Sequence, residues 1–273
     1  MADTEHISIV QLGLDDAQAG LVLSTEAHWN QNEADWRLFL TRGTVFGIVE
    51  REIGLVATAA LLPYAEGHAW ISMVLVTASR QRRGLATRLV DACLEEATRQ
   101  DRTSFLDATP AGAAVYGALG FTPAGSSVRM RRAGDTAALG LLSVGQFDEL
   151  QARDLRAFGF DRGVLLQELS SRPGSRVVAQ HGAIALVRDG RTARHIGPLL
   201  ADDAASAASL VAAIVQSESG PLLLDVDGER SELIGSLAAA GWIAERPFQR
   251  MRFGRINVTA SEPAFAGAGP EYG

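Results

Sequence analysis

Cysteine is almost absent from this chain. Of its 273 residues only Cys93 carries a thiol, which excludes an internal disulfide framework and fits a reducing cytoplasm. The five histidines include no Cys or His pair at ligand spacing, so no metal site is expected. No uninterrupted apolar run approaches the ~18 residues that a membrane span needs. A secretion signal is not expected either, because Met1 to His6 holds two acids and no apolar core. Positive charge is in deficit, with a net charge of −7, which argues against nucleic acid or an anionic membrane as a partner. What is present is a globular composition, 47% hydrophobic and 21% charged. It suits one large domain or two of ordinary size.

Against the acidic background one segment concentrates basic residues. Residues 69–76 (A-W-I-S-M-V-L-V) form an apolar run of strand length. In residues 87–98, Leu89, Val90, Cys93, Leu94 and Ala97 recur at helical spacing. Between them lies a short basic turn containing Arg80, Arg82, Arg83 and Gly84. A strand, a turn and then a helix aim the unpaired N–H groups of a helix N-terminus at whatever fills the turn, which favours an anion. Gly84 permits close backbone approach, and Ala86 keeps the first helical turn small. A Walker loop would need Lys-Ser or Lys-Thr where Leu85-Ala86 stands. A dinucleotide fingerprint needs three spaced glycines, and only Gly84 is there. The competing reading is a basic turn with no ligand. Cys93 falls on the apolar face of the helix, as a core residue rather than a nucleophile.

Periodicity around this turn predicts a strand at 7–12, a helix capped by Asp15 and running to 25, and a helix at 33–40. Strands at 45–50, 54–62 and 69–76 follow, then the helix after the turn and a strand at 104–108. A helix from Pro110 to Leu119 is closed by Gly120-Phe121, and a strand at 127–131 completes the set.

The Gln81-x-x-Gly84-x-Ala86 signature, with Val76 closing the preceding strand, resembles the coenzyme A loop of the GNAT superfamily of N-acetyltransferases. Residues 115–121 (V-Y-G-A-L-G-F) are similar to that superfamily's Y-x-x-x-G-F segment, and the predicted element order is also its order. The resemblance implies an α/β chain of tandem GNAT folds, each a mixed, mostly antiparallel twisted sheet flanked by helices. It implies acetyl-CoA as co-substrate, held by Val74, Val76, Gln81, Arg82, Arg83, Gly84, Leu85, Ala86 and Thr87, and no metal. Transfer to an amine would be direct, with the oxyanion held by a backbone N–H near Val76. Tyr116 would protonate the departing thiolate; the other reading is a core tyrosine. The base in such enzymes commonly projects from the strand leading into the loop. Period-two alternation puts His68, Trp70 and Ser72 on one face there, which leaves His68, with Glu66 as the neighbouring alternative. The acceptor pocket would be roofed by the segment between the first two helices. Its Trp29, Asn30, Gln31 and Trp36 can stack on and orient a small-molecule amine, or can simply pack and cap helices.

Charged and glycine-rich residues at 131–140 mark a boundary, dividing the chain into a catalytic domain (1–132), a linker (133–142), a second domain (143–260) and an extended tail (261–273). The second domain repeats the element order of the first. Leu222 to Val226 echoes Phe105 to Ala108, and Ala240-Gly241-Trp242 echoes Leu119-Gly120-Phe121. Its chemistry has lapsed. The turn at 201–205 holds Asp202 and Asp203 with no arginine or glycine, and Leu237 stands at the offset of Tyr116. Carboxylates there would repel a diphosphate by roughly 1–4 kcal/mol. Asp107-Ala108-Thr109-Pro110, Phe158-Gly159-Phe160-Asp161-Arg162, Ile196-Gly197-Pro198-Leu199 and Gly269-Pro270-Glu271 resemble a bacterial two-domain GNAT branch. The alternative to an enzyme is a CoA-binding regulator in which the lapsed half reports cofactor occupancy. A homodimer is left open.

Overall fold

Each half of the chain runs through the same ten elements. The computed structural model describes residues 8–134, 142–255 and 260–273. The first half contains β1 (Ile9–Gln11), α1 (Ala17–Glu26), α2 (Glu33–Arg42), β2 (Thr44–Glu50), β3 (Gly54–Pro63) and β4 (His68–Val76), then α3 (Leu85–Arg99), β5 (Thr103–Ala108), α4 (Pro110–Ala118) and β6 (Thr122–Arg132). The second contains β7 (Ser143–Val144), α5 (Phe147–Phe158), α6 (Gly163–Ser171), β8 (Arg176–Gln180), β9 (Ala183–Arg188) and β10 (Arg194–Ala201), then α7 (Ala204–Ser217), β11 (Leu222–Asp227), α8 (Ser231–Ala239) and β12 (Ile243–Phe253). A short strand in the tail, β13 (Ala264–Ala266), is the remainder. Residues 1–7 and most of the expected boundary segment, 135–141, lie outside the described residues.

One cap differs from the expected one. Asp15 does not cap α1. A 3₁₀ turn, Leu14–Asp16, starts at Gly13, whose N–H donates to the Asp16 carboxylate at 2.8 Å. The acid three residues on, not the one two residues on, can close back over Gly13. Further along, α2 opens with a reciprocal capping box. The Asp35 N–H donates to Asn32 Oδ1, and the Asn32 N–H donates to Asp35 Oδ2.

The thirteen strands form one sheet in the order β1-β2-β3-β4-β5-β12-β6-β11-β13-β10-β9-β8-β7. The halves therefore exchange their last strands. β12 of the second half lies antiparallel between β5 and β6 of the first, with Arg250 opposite Asp107. β6 of the first half in turn pairs antiparallel with β11 of the second, with Arg129 opposite Asp225. Three cores result. α3 and α4 cover one, around Leu89, Cys93 and Phe121, while α7 and α8 cover another, around Leu210, Ile214 and Phe265. The third joins α1, α2, α5, α6 and the tail around Trp36, Phe39, Leu150, Leu165 and Tyr272.

The tail is the keystone of that shared core. The Tyr272 side chain is fully buried and stacks on Phe39 with centroids 5.2 Å apart, and its hydroxyl donates to Asp35. Tyr64 donates to the Tyr272 carbonyl, and the Trp70 indole donates to that of Pro270. Arg162, on the second half, is buried and donates to the carbonyls of Tyr272 and Gly273 while paired with Asp154.

Candidate active site

The site begins where two parallel strands part. β4 and β5 pair at His68–Thr103, Ala69–Ser104 and Trp70–Phe105, and then separate. The cause lies in β4. Its register against β3 slips between Leu75 and Ser72, so that Met73 and Val74 together face Ala59. Met73 takes a φ of 51°, a bulge conformation that bends the strand. The hydroxyl of Thr58 pins it by donating to the Met73 carbonyl at 2.8 Å. The result is a V-shaped cleft walled by Ile71–Val74 on one side and by Leu106 and Asp107 on the other.

At the far end of β4 the basic turn leads into α3. Gly84 occupies the left-handed region (φ 76°), and nothing lies within 4 Å of the point where a Cβ would sit. No side chain caps the helix, so the N–H groups of its first turn have no partner within the helix. Gln81 closes the turn by donating from Nε2 to the Val76 carbonyl. Arg80 is clasped by Glu50 through two bonds of 2.7 and 2.8 Å. That clasp and the nearby Arg83 hold the Glu50 carboxyl below its ordinary pKa. Arg82 and Arg83 project from the exposed turn. An uncapped helix start beside exposed arginines is electropositive, an arrangement that favours an anion.

Tyr116, from α4, lines the cleft on the other side of the V. Gly112, one turn earlier, leaves room for its ring, since a Cβ there would lie 3.1 Å from it. Burial, with the neighbouring Cys93 as a lesser cause, pushes the Tyr116 phenol up to about 12. It is protonated at neutral pH. The rest of the cleft is built by both halves. Trp29 and Gln31 come from the α1–α2 loop, Arg129 from β6, Arg246 and Phe248 from β12, and Pro270 and Glu271 from the tail. Most of the charges here are matched. Asp107 takes two bonds from Arg250, Asp225 takes two from Arg129, and Glu271 pairs with Arg188.

Family comparison assigns both halves. Residues 14–121 match the acetyltransferase (GNAT) family, and residues 151–265 match an acetyltransferase (GNAT) domain. The chain belongs to the GNAT acetyltransferase superfamily. A curated relative, an uncharacterized N-acetyltransferase of Bacillus subtilis, is 27% identical over 86% of this chain and 87% of its own length. A putative acetyltransferase from Pyrococcus horikoshii matches with a TM-score of 0.79 at 20% identity, over 100% of this chain and 98% of that one. A tandem GNAT protein from the clavulanic acid biosynthesis pathway matches with a TM-score of 0.64 at 14% identity, over 92% of this chain and 100% of that one. The protein is thus a tandem GNAT acetyltransferase with a mixed, mostly antiparallel sheet. Among the described residues no cluster of His, Cys, Asp or Glu is arranged to hold a metal, and no helix is long and apolar enough to cross a membrane.

The residues singled out from the GNAT pattern do not all converge. Val74, Tyr116, Trp29 and Gln31 line the cleft. Val76, Gln81, Arg82, Arg83, Gly84, Leu85, Ala86 and Thr87 make the end of β4, the turn and the start of α3. Trp36 lies elsewhere: it is fully buried against Gly20 and donates to the Ser24 hydroxyl at 2.9 Å. Its position facing α1 makes it a packing residue. Asn30 is buried and engaged by the second half, its Oδ1 accepting from Thr192 and Ala193 and its Nδ2 donating one hydrogen to the Ala193 carbonyl. It ties the α1–α2 loop to the β9–β10 turn. His68 is 2% exposed, stacked on Phe160 at 4.7 Å and bonded through Nδ1 to the Ala65 carbonyl. It shares a face with Ser72 but is sealed there by the second half, outside the cleft lining. Glu66 accepts from the Asp161 N–H at 3.1 Å, also between halves. The charged groups that do line the cleft, Asp107, Arg129, Arg246 and Glu271, carry no local sequence signal for that role. Asp107 and Glu271 fall in the segments shared with the two-domain branch.

The second GNAT fold has the same splay with different contents. β10 and β11 pair in parallel at three positions, Arg194–Leu222, His195–Leu223 and Ile196–Leu224, and then separate beside a bulge in β10. Into this V the tail inserts β13. Ala266 stands opposite both Leu199 of β10 and Val226 of β11. At the matching helix start, the Asp203 carboxylate accepts the Ser206 N–H at 2.7 Å and caps α7. Those bonds lower its pKa. Asp202 is engaged by Arg153.

Proposed function

We propose that this tandem GNAT protein acetylates a small-molecule primary amine by direct attack on the acetyl-CoA thioester, using the first cleft alone. The observation that carries this reading is the meeting of three features in one place: the open β4–β5 splay, the uncapped left-handed start of α3, and a protonated Tyr116. The turn from Gln81 to Thr87 would receive the diphosphate on its N–H groups. Val74 and Val76 flank the path of the arm leading to the thioester.

The acceptor approaches from the Trp29 and Gln31 side. As its nitrogen bonds to the thioester carbon, the carbon–sulfur bond breaks and the electron pair leaves on sulfur. The Tyr116 hydroxyl, which lines the cleft, supplies the proton that makes the departing group a thiol. An ammonium must first lose a proton, and Asp107 and Glu271 are the carboxylates at the cleft. Cys93, fully buried with its thiol pKa raised by burial, takes no part, so no covalent enzyme intermediate forms. The cleft volume of about 130 Å³, of the order of ten water-sized volumes, suits a small molecule.

The test is thiol release over a panel of amines, amino acids, polyamines and aminoglycosides. Tyr116→Phe is expected to lower kcat by about 10²-fold with acetyl-CoA affinity retained. Unchanged turnover would remove Tyr116 from the chemistry. Binding of acetyl-CoA with no thiol release from any amine would instead identify a CoA-responsive regulator.

A further inference from the structure

Among the arginines at the cleft, Arg246 is the exception. Arg129, Arg188 and Arg250 each hold a carboxylate. Arg246 lines the cleft and makes no hydrogen bond or ion pair among the described residues. Its placement follows from a bulge. The β12–β6 register slips between Ala244 and Arg246, so Glu245 is the extra residue and turns outward to pair with Arg131. A second slip, between Arg250 and Met251, places its extra residue, Ala124, on β6, and β12 itself runs against β5 without a break from Gln249 to Phe253, so β12 alternates beyond Glu245. Met251 and Phe253 face the α3–α4 core, so Arg250, Phe248 and Arg246 point to the opposite side of the sheet. That is the side from which Trp29 and Gln31 enter the cleft, away from the face covered by α3. The charge of Arg246 therefore serves the acceptor rather than the cofactor's diphosphate.

Two buried polar atoms complete the pattern. Gln31, 4% exposed, and Ser72, 8% exposed, line the same cleft, and Gln31 Oε1 and Ser72 Oγ have no hydrogen-bond partner. A buried polar atom without a partner is destabilising unless a ligand meets it. Both oxygens can accept from an amine N–H. An unpaired guanidinium presents a planar fork that matches a carboxylate. The indole of Trp29 and the ring of Phe248 add apolar surface to the same cleft.

We infer that the acceptor is an amino acid with an apolar or aromatic side chain, its carboxylate held by Arg246 and its amine by Gln31 and Ser72. This assignment rests on the acetyltransferase reading above and adds the acceptor class to it.

The test compares phenylalanine and leucine with phenethylamine, isoamylamine and the two amino-acid amides, using thiol release and the wild-type protein. The free amino acids are expected to have a KM at least tenfold lower than their carboxylate-free partners. Arg246→Gln should raise KM for the amino acids tenfold or more and close most of that gap, and Arg246→Lys should restore part of it. A second readout does not require turnover. N-acetylphenylalanine should bind the CoA-loaded protein in calorimetry more tightly than N-acetylphenylalanine amide, and Arg246→Gln should erase the difference. Equal use of amines with and without the carboxylate, equal binding of the two products, or binding of neither overturns the assignment. Failure of the underlying reading is seen separately, as acetyl-CoA binding without thiol release from any amine.

Discussion

The two splayed strand pairs have the same geometry and opposite fates. In the first half, β4 and β5 pair three times and then open onto a cleft that the chain leaves unfilled. In the second, β10 and β11 also pair three times, and the chain fills the opening with β13. The helix starts differ in the same sense. Gly84 leaves the N–H groups of α3 uncapped, whereas Asp203 caps those of α7. A carboxylate of the chain satisfies in one half what a bound anion would satisfy in the other. A GNAT fold thus imposes two obligations, a gap between strands and a set of unpaired N–H groups. Either a ligand or the protein itself must meet them.

The sharpest way to break this comparison is to empty the filled splay. Phe265 is buried in the α7–α8 core beneath β13, and Phe265→Ala is expected to destabilise the protein by about 3–5 kcal/mol, read by denaturant unfolding. A negligible change would mean that β13 merely rests in the gap. Next is to give the first helix start the second one's chemistry. Gly84→Asp places a carboxylate at the anion site on a left-handed residue, and acetyl-CoA affinity should fall by about two orders of magnitude, roughly 2.7 kcal/mol. In the wild type, calorimetry should give one acetyl-CoA per chain; a second equivalent would contradict the filled splay.

A third prediction concerns acid. His195, on β10, is fully buried beside Asp225 and Arg188, and burial, reinforced by Arg188, lowers its pKa. The unfolded chain then binds the proton more readily than the folded one. Stability from this source is full above the ordinary histidine value of 6.5 and is lost as pH falls from there toward the lower folded value. Asp225, its pKa held down chiefly by Arg129 against the opposing effect of burial, adds a further loss below the ordinary carboxylate range. His195→Gln should flatten the fall of Tm between pH 7 and pH 5, and an unchanged slope would assign that fall to other groups. Smallest of all is Cys93→Ala. Activity should stay within about twofold, the cost being a small cavity under α3; loss of turnover would revive a thiol intermediate.

Much of this architecture was legible in the sequence because periodicity is a local property. The strands and helices around the basic turn fall within a few residues of their expected bounds, and the repeat of the order in the second half is visible at 222–226 and 240–242. The strand exchange was not legible. β6 and β12 are both eleven-residue strands that follow a helix and a glycine, so nothing local says which half either will join. The site was legible where it is made of backbone, at Gln81, Gly84 and Ala86, and at Tyr116. It was not legible where long-range burial decides a role. Phe160 seals His68, Thr192 and Ala193 engage Asn30, and a one-residue bulge turns Arg246 into the cleft.

The exchanged strands also set the order in which the protein can fold. Asp107 waits for Arg250, 143 residues later, and Arg129 waits for Asp225, 96 residues later. Until β12 has been synthesised, the flank of β5 that it occupies is an open sheet edge, and such edges invite intermolecular pairing. Closure of contacts this distant is slow. The sheet of the first half therefore stays unfinished until the second half has lent its last strand.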